Sequence, residues 1–205
     1  GIAELVYLTL GIDLVISALV LAVLFTLLNL FGVREAVRFQ IALVLALVAI
    51  LTAFFFIGIG NVRIMHFEPF LPHGLNSLFS TAGFVFVSFG GVLTTASIAG
   101  EVRNPARNIP LGLIVSTVVV TLLYALVTFV VVGLVPSGQL AGSLAPIALA
   151  GRIGGGVVMH AAIMIASLLA FITTANGGIL TASRYPIALA SDGILPSLFS
   201  RTSAK

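Results

Sequence analysis

No cysteine occurs among the 205 residues, so disulfides, thiol redox chemistry and thiolate metal sites are excluded. Charge is nearly as scarce: Asp, Glu, Lys and Arg make up 7% of the chain, against about a quarter of an ordinary soluble domain. The formal net charge of +3 is small and its basic residues are scattered, which gives no footprint for nucleic acid. There is no phosphate-cradling glycine loop followed by Lys-Ser/Thr, so ATP-driven work has no support. Nor is there a nucleophile–base pair or a metal cluster of recognisable spacing, and no cofactor is expected. What fills the chain is apolar: 60% hydrophobic residues and a mean hydropathy of +1.28. A soluble protein with this balance would have to cover its outside with apolar side chains, which soluble monomers avoid. The composition therefore implies an outer surface that faces lipid.

A bilayer core about 30 Å thick needs about 20 helical residues to cross it. Uncharged runs of that length occupy about 14–31, 39–60, 75–100, 109–135 and 157–182. All are too long for strands, and polar and apolar residues do not alternate, so a β-barrel is excluded. The expected fold is an all-α integral membrane protein with five transmembrane helices in a single transmembrane domain. Residues 183–205 follow as a cytoplasmic segment. Gly1 stands where an initiator Met is usual, without a signal peptide's n-region and cleavage site, and the chain stops just after Arg201 and Lys205. A piece of a longer protein is expected.

The connections orient the spans. Arg34 and Arg38 lie between the first and second, Arg103 and Arg107 between the third and fourth, and Arg184, Arg201 and Lys205 after the fifth. The alternate connections hold only Arg63 and Arg152. Short loops rich in Lys and Arg stay cytoplasmic, so the first span runs from outside to inside and the fifth also ends inside. The outer loop after the second span holds His66, Glu68 and His73, expected to be solvated. His160 and Asp13 are expected at the outer membrane interface.

The third span contains Ser88-Phe89-Gly90-Gly91 at its middle. Two adjacent glycines each cost roughly 1 kcal/mol in helix propensity relative to alanine. Each flank is long enough for two to three helical turns, so the pattern fits two half-helices meeting at an unwound centre. Such a break frees carbonyls that suit an ammonium or Na⁺ and N–H groups that suit a carboxylate. The alternative is a packing seam, because Gly, Ser and Ala are enriched wherever membrane helices touch.

Directly after this span comes Glu101-Val102-Arg103-Asn104-Pro105-Ala106-Arg107-Asn108-Ile109-Pro110. Asn104-Pro105 ends a helix, Asn108 can cap the next, and Pro110 suits a first turn. An ordinary cytoplasmic turn with snorkelling arginines would account for all of this. The full string, however, resembles the signature after the sixth helix of amino acid permeases of the amino acid–polyamine–organocation (APC) superfamily. Asn29-Leu30-Phe31-Gly32-Val33-Arg34 is similar to the end of that family's fourth helix. Ser183-Arg184-Tyr185-Pro186 and the later Asp192-Gly193-Ile194-Leu195-Pro196 resemble the stretch after its eighth. The three matches come in the family's order and spacing and cover nearly the whole chain.

The resemblance implies helices four to eight of a 5+5 inverted-repeat transporter fold, with the third span here discontinuous. It implies a secondary transporter in the cell membrane that moves amino acids or related amines by alternating access. The backbone of Phe86, Val87, Ser88 and Phe89 would receive the substrate's amino group, and Gly90 and Gly91 would permit the unwinding. Thr173 and Thr174 lie where hydroxyls bind sodium in relatives of the wider fold, and Asn176 could line the pathway. Their plainer role is to satisfy their own helix or to bond a neighbouring one. The lysine that serves proton coupling in several members of the family has no counterpart near Leu47, which puts a lysine-based mechanism in doubt. The implied partners are a small amino acid or amine, membrane lipid and a coupling proton or sodium ion, with no nucleic acid. Two rivals remain: a membrane enzyme, which lacks convergent catalytic groups, and a non-transporting scaffold or subunit with Gly90-Gly91 as a seam.

Overall fold

The computed structural model describes Asp13, Val15, Ile16, Leu19, Val20, Val23, 33–71, 74–89, Gly91, 102–143, 145–182, 185–191 and 193–196. Among the described residues every regular element is a helix. The helices are α1 Val33–Gly58, α2 Gly74–Ser88, α3 Pro105–Leu134, α4 Ser137–Ala141, α5 Pro146–Ala182 and α6 Tyr185–Ser191. Two short 3₁₀ turns, Ile59–Asn61 and Ile64–Phe67, follow α1. Three segments are long and apolar enough to cross a bilayer: Val37–Asn61, Pro105–Leu134 and Pro146–Ile179. The chain is an all-α, multi-pass membrane protein.

The helix ends follow local chemistry, and they correct three sequence-based expectations. The Asp13 carboxylate, for which the sequence alone suggests no partner beyond interfacial water, has partners within the chain. It accepts the N–H groups of Val15 (2.8 Å) and Ile16 (3.4 Å), a helix cap. α3 begins at Pro105 and not near 109. Proline's fixed φ suits a first helical position, and the Asn104 carbonyl takes the N–H groups of Arg107 (3.1 Å) and Asn108 (3.0 Å). Asn108 therefore lies inside the helix, its amide donating back to the Arg103 carbonyl, and does not cap it. At the other end of the chain, Gly193-Ile194-Leu195 closes α6. Gly193 has φ +75°, its N–H reaches the Ala190 carbonyl (3.2 Å), and the Ile194 N–H reaches that of Leu189 (2.9 Å). That is a left-handed helix stop that a side chain at 193 would strain.

The chain divides into two compact units. One comprises Val44–Gly91 and Pro110–Leu169 and holds the apolar core, built around Phe54, Val130, Val135 and Ile163. Lipid tails are as apolar as these side chains, so tight van der Waals packing holds the helices together. α5 changes direction inside this unit at Gly156 (φ 68°, ψ −157°). The piece before the kink lies against the piece after it, and a methyl at Gly151 would meet Ile163 at 3.2 Å. The other unit comprises 1–43, 92–109 and 170–205.

Candidate functional site

The first candidate lies at the end of α2. This helix of 15 residues is about 22 Å long, short of a full crossing. It stops at Ser88, in the middle of the apolar run predicted from 75 to 100. The Phe89 N–H turns to the Phe86 carbonyl three residues back, at 3.0 Å. The Ser88 hydroxyl donates to the Phe84 carbonyl at 3.2 Å, so it serves its own helix. No residue of α2 is buried: Phe84 is 79%, Phe86 80% and Val87 75% exposed. Among the described residues, no atom lies within 4 Å of a methyl built at Gly91. Gly90 and 92–100, which carry the predicted second half-helix, lie outside the described residues, as does Glu101.

The second candidate lies wholly in the other unit. Thr173 is 7% and Asn176 4% exposed, the buried polar residues of the described chain. A residue not singled out in the sequence draws them together. The Gln40 amide nitrogen donates to the Thr173 carbonyl (3.0 Å), and its oxygen accepts the Asn176 side-chain N–H (3.0 Å). A single glutamine thus ties the start of α1 to the last third of α5. The Thr173 and Thr174 hydroxyls both donate to the Ala170 carbonyl, at 2.9 and 2.8 Å. This is the local bonding that hydroxyls in membrane helices commonly adopt. Their oxygen lone pairs remain as acceptors. Leu47 is half-buried within α1.

A third feature was not anticipated. In the unit that holds the core, a cleft of about 570 Å³ is lined by Asn61, Arg63, His66 and Gln139, with Leu134 and Ile153 among its apolar walls. The 59–67 strap forms one side and is pinned at three points. The Arg63 backbone N–H and the His66 Nδ1 both contact the Gly133 carbonyl, each at 2.9 Å. The Asn61 amide donates to the Gly154 carbonyl at 3.3 Å. Gly133 sits in the last turn of α3, where carbonyls lack intrahelical partners, so the strap supplies what the helix end needs. The expectation of a solvated His66 is corrected: it is half-buried and bonded. His160 is likewise half-buried, its Nδ1 on the Ala148 carbonyl at 2.9 Å. His73 lies outside the described residues. Among the described residues no group of three His, Cys, Asp or Glu is placed to hold a metal ion.

Comparison with known proteins gives a consistent picture. The family model described as "Amino acid permease" matches residues 6–205. A methylthioribose transporter of Bacillus subtilis (strain 168) is 31% identical over 171 residues, covering 83% of this chain and 37% of its own length. A branched-chain amino acid permease of the same strain is 29% identical over 190 residues, covering 93% and 41%. A chloroplastic cationic amino acid transporter of Arabidopsis thaliana is 33% identical over 190 residues, covering 93% and 33%. The chain thus spans less than half the length of these curated relatives.

Proposed function

This chain belongs to the amino acid permease family, and from that premise we propose that the intact protein is a secondary transporter of amino acids or related amines. Transport would proceed by alternating access across the cell membrane, with no enzymatic step. The observation that carries this reading is the end of α2 at Ser88, in mid-span, with the Phe89 N–H bonded back to Phe86. A plain lipid anchor gains nothing by breaking its helix at the depth where backbone groups are most expensive to leave unpaired. A binding site gains carbonyl dipoles there. Val87 and Ser88 are assigned to receive the substrate's ammonium, and Phe89 to wall the pocket beside Gly90 and Gly91. The break carries no charged side chain, which fits substrates with neutral side chains or a charge read by another helix.

The scaffold alternative needs Gly90-Gly91 to be a packing seam. For coupling, the Thr173 and Thr174 oxygens are assigned to a sodium ion in preference to a proton relay, since no lysine stands near Leu47.

The test is uptake by the full-length protein in proteoliposomes. The panel comprises labelled neutral, branched-chain and cationic amino acids together with methylthioribose, with and without proton and sodium gradients and internal unlabelled substrate. Gradient-driven or exchange uptake of at least one amino acid is expected. Absence of both for every amino acid would overturn the proposal, and uptake of methylthioribose alone would reassign the substrate.

A further inference from the structure

We propose that the cleft at Arg63 is a second, peripheral site that binds the free carboxylate of a zwitterionic amino acid before it reaches the pathway. The choice of an amino acid as occupant rests on the permease reading. The existence of a carboxylate site there does not. Arg63 and the residues around it lie in the connections that the arginine distribution assigns to the outside. The cleft is built by the chain's own hydrogen bonds, because three contacts hold the strap against Gly133 and Gly154. Its volume of about 570 Å³ is within the range of small-molecule sites.

The polar groups are complementary to a zwitterion. Arg63 is exposed, and among the described residues its guanidinium makes no hydrogen bond or ion pair, although Glu68 directly follows the strap. Its planar fork of five donors matches a carboxylate bidentately. The Asn61 nitrogen must face the Gly154 carbonyl, since two oxygens would repel, so Oδ1 is left as an acceptor. A carbonyl oxygen cannot donate, so the His66 Nδ1 carries the proton to Gly133 and Nε2 is the atom left for a ligand. Gln139 adds a further donor and acceptor. A bare phosphate needs donors only, whereas this cleft offers a guanidinium beside acceptors suited to an ammonium.

Arginine-directed labelling tests the site independently of transport. The full-length protein, in phosphatidylcholine nanodiscs, is treated with phenylglyoxal while L-leucine, L-lysine or their methyl esters are titrated, and modification is read at Arg63 by mass spectrometry. Arg152, exposed and outside the cleft lining, serves as the control. Free amino acids should slow Arg63 modification to a plateau at least about threefold below the unprotected rate, as mass action requires once ligand exceeds about twice its dissociation constant. Methyl esters should protect poorly, and Arg152 should be unaffected. No protection, or equal protection by esters, overturns the proposal. Slowing that follows added phosphatidylglycerol and not the amino acid also overturns it and marks a lipid headgroup site.

Kinetics supply the second arm. The docking bond comes from the Arg63 backbone, so Arg63→Gln keeps the strap in place. It should raise the KM for uptake from the outer side about two- to fivefold, the range of an exposed ion pair. The maximal rate and the KM from the inner side should not change, and Arg63→Lys should recover part of the loss. Equal changes on both sides, or a fallen maximal rate alone, would mean a merely structural role. Protection with no amino acid uptake by the wild type would sink the permease reading and leave the site standing. Uptake with no protection would do the reverse.

Discussion

Gly133→Ala should destabilise the protein although it improves the local helix propensity of α3. A β carbon at 133 would lie 2.5 Å from Val62 Cγ1, 3.0 Å from Cγ2 and 3.1 Å from Cβ. Valine is branched at Cβ and stiff about χ1, and the third of these contacts is to Cβ itself, so no rotamer change clears the new methyl. The backbone of the strap has to retreat. Retreat lengthens the bonds that the Arg63 N–H and the His66 Nδ1 make to the Gly133 carbonyl, both now 2.9 Å. Overpacking of this kind costs about 1–3 kcal/mol, and each hydrogen bond contributes about 0.5–1.5 kcal/mol. Against them stands the propensity of alanine over glycine, about 1 kcal/mol. The net loss should be about 1–4 kcal/mol. Reversible unfolding of the full-length protein in mixed detergent micelles would measure it. Val62→Ala removes the two methyl groups in the way, so the double variant should recover at least about 1 kcal/mol of the loss relative to additivity. A Gly133→Ala protein as stable as the wild type, or strict additivity with Val62→Ala, would refute the account of the docked strap.

Gln40 and Asn176 should be coupled: a double-mutant cycle of Gln40→Ala and Asn176→Ala on unfolding should give about 0.6–1.7 kcal/mol, from the average to the maximum measured for polar pairs between membrane helices. A coupling indistinguishable from zero would mean that the amide contact adds nothing. Gly193→Ala should cost about 1–2 kcal/mol through the left-handed conformation at that position. Amide exchange at Ile194 and Leu195 should then quicken about tenfold, and unchanged protection would exclude the helix-stop role. Thr173→Val removes a hydroxyl assigned to sodium and keeps the shape. It should abolish the sodium dependence of uptake with the protein still folded, whereas unaltered sodium dependence would leave Thr173 as a helix residue only.

The long elements were readable because lipid imposes a simple rule: an uncharged run of sufficient length has to be a helix. The uncharged runs account for the bodies of α1, α3 and α5, but α1 and α5 begin earlier, at Val33 and Pro146, and take in Arg34, Arg38 and Arg152; α2 ends at Ser88, shortly before the paired glycine of the sequence. Local ambiguity displaced the start of α3, since Asn104-Pro105 and Asn108-Ile109-Pro110 both present a capping residue near a first-turn proline. The first pair prevails because the Asn104 carbonyl collects two N–H groups. Gln40 was passed over because its value lies in partners 133 and 136 residues away, and no local pattern joins them. Beside Arg38 it reads as an interfacial residue. The same is true of Gly133, which resembles any small residue in a membrane helix until Val62 is set against it. A physical rule would nevertheless have found the glutamine. A side-chain amide one turn inside the membrane has to be satisfied by protein. The alternation of arginines already put the start of the second span and the end of the fifth on the same side. Asn176, also an amide near that boundary, was then the natural partner. Topology combined with the demand for polar satisfaction reaches contacts that periodicity cannot, and in a membrane chain this sparing of polar side chains each such residue narrows the packing considerably.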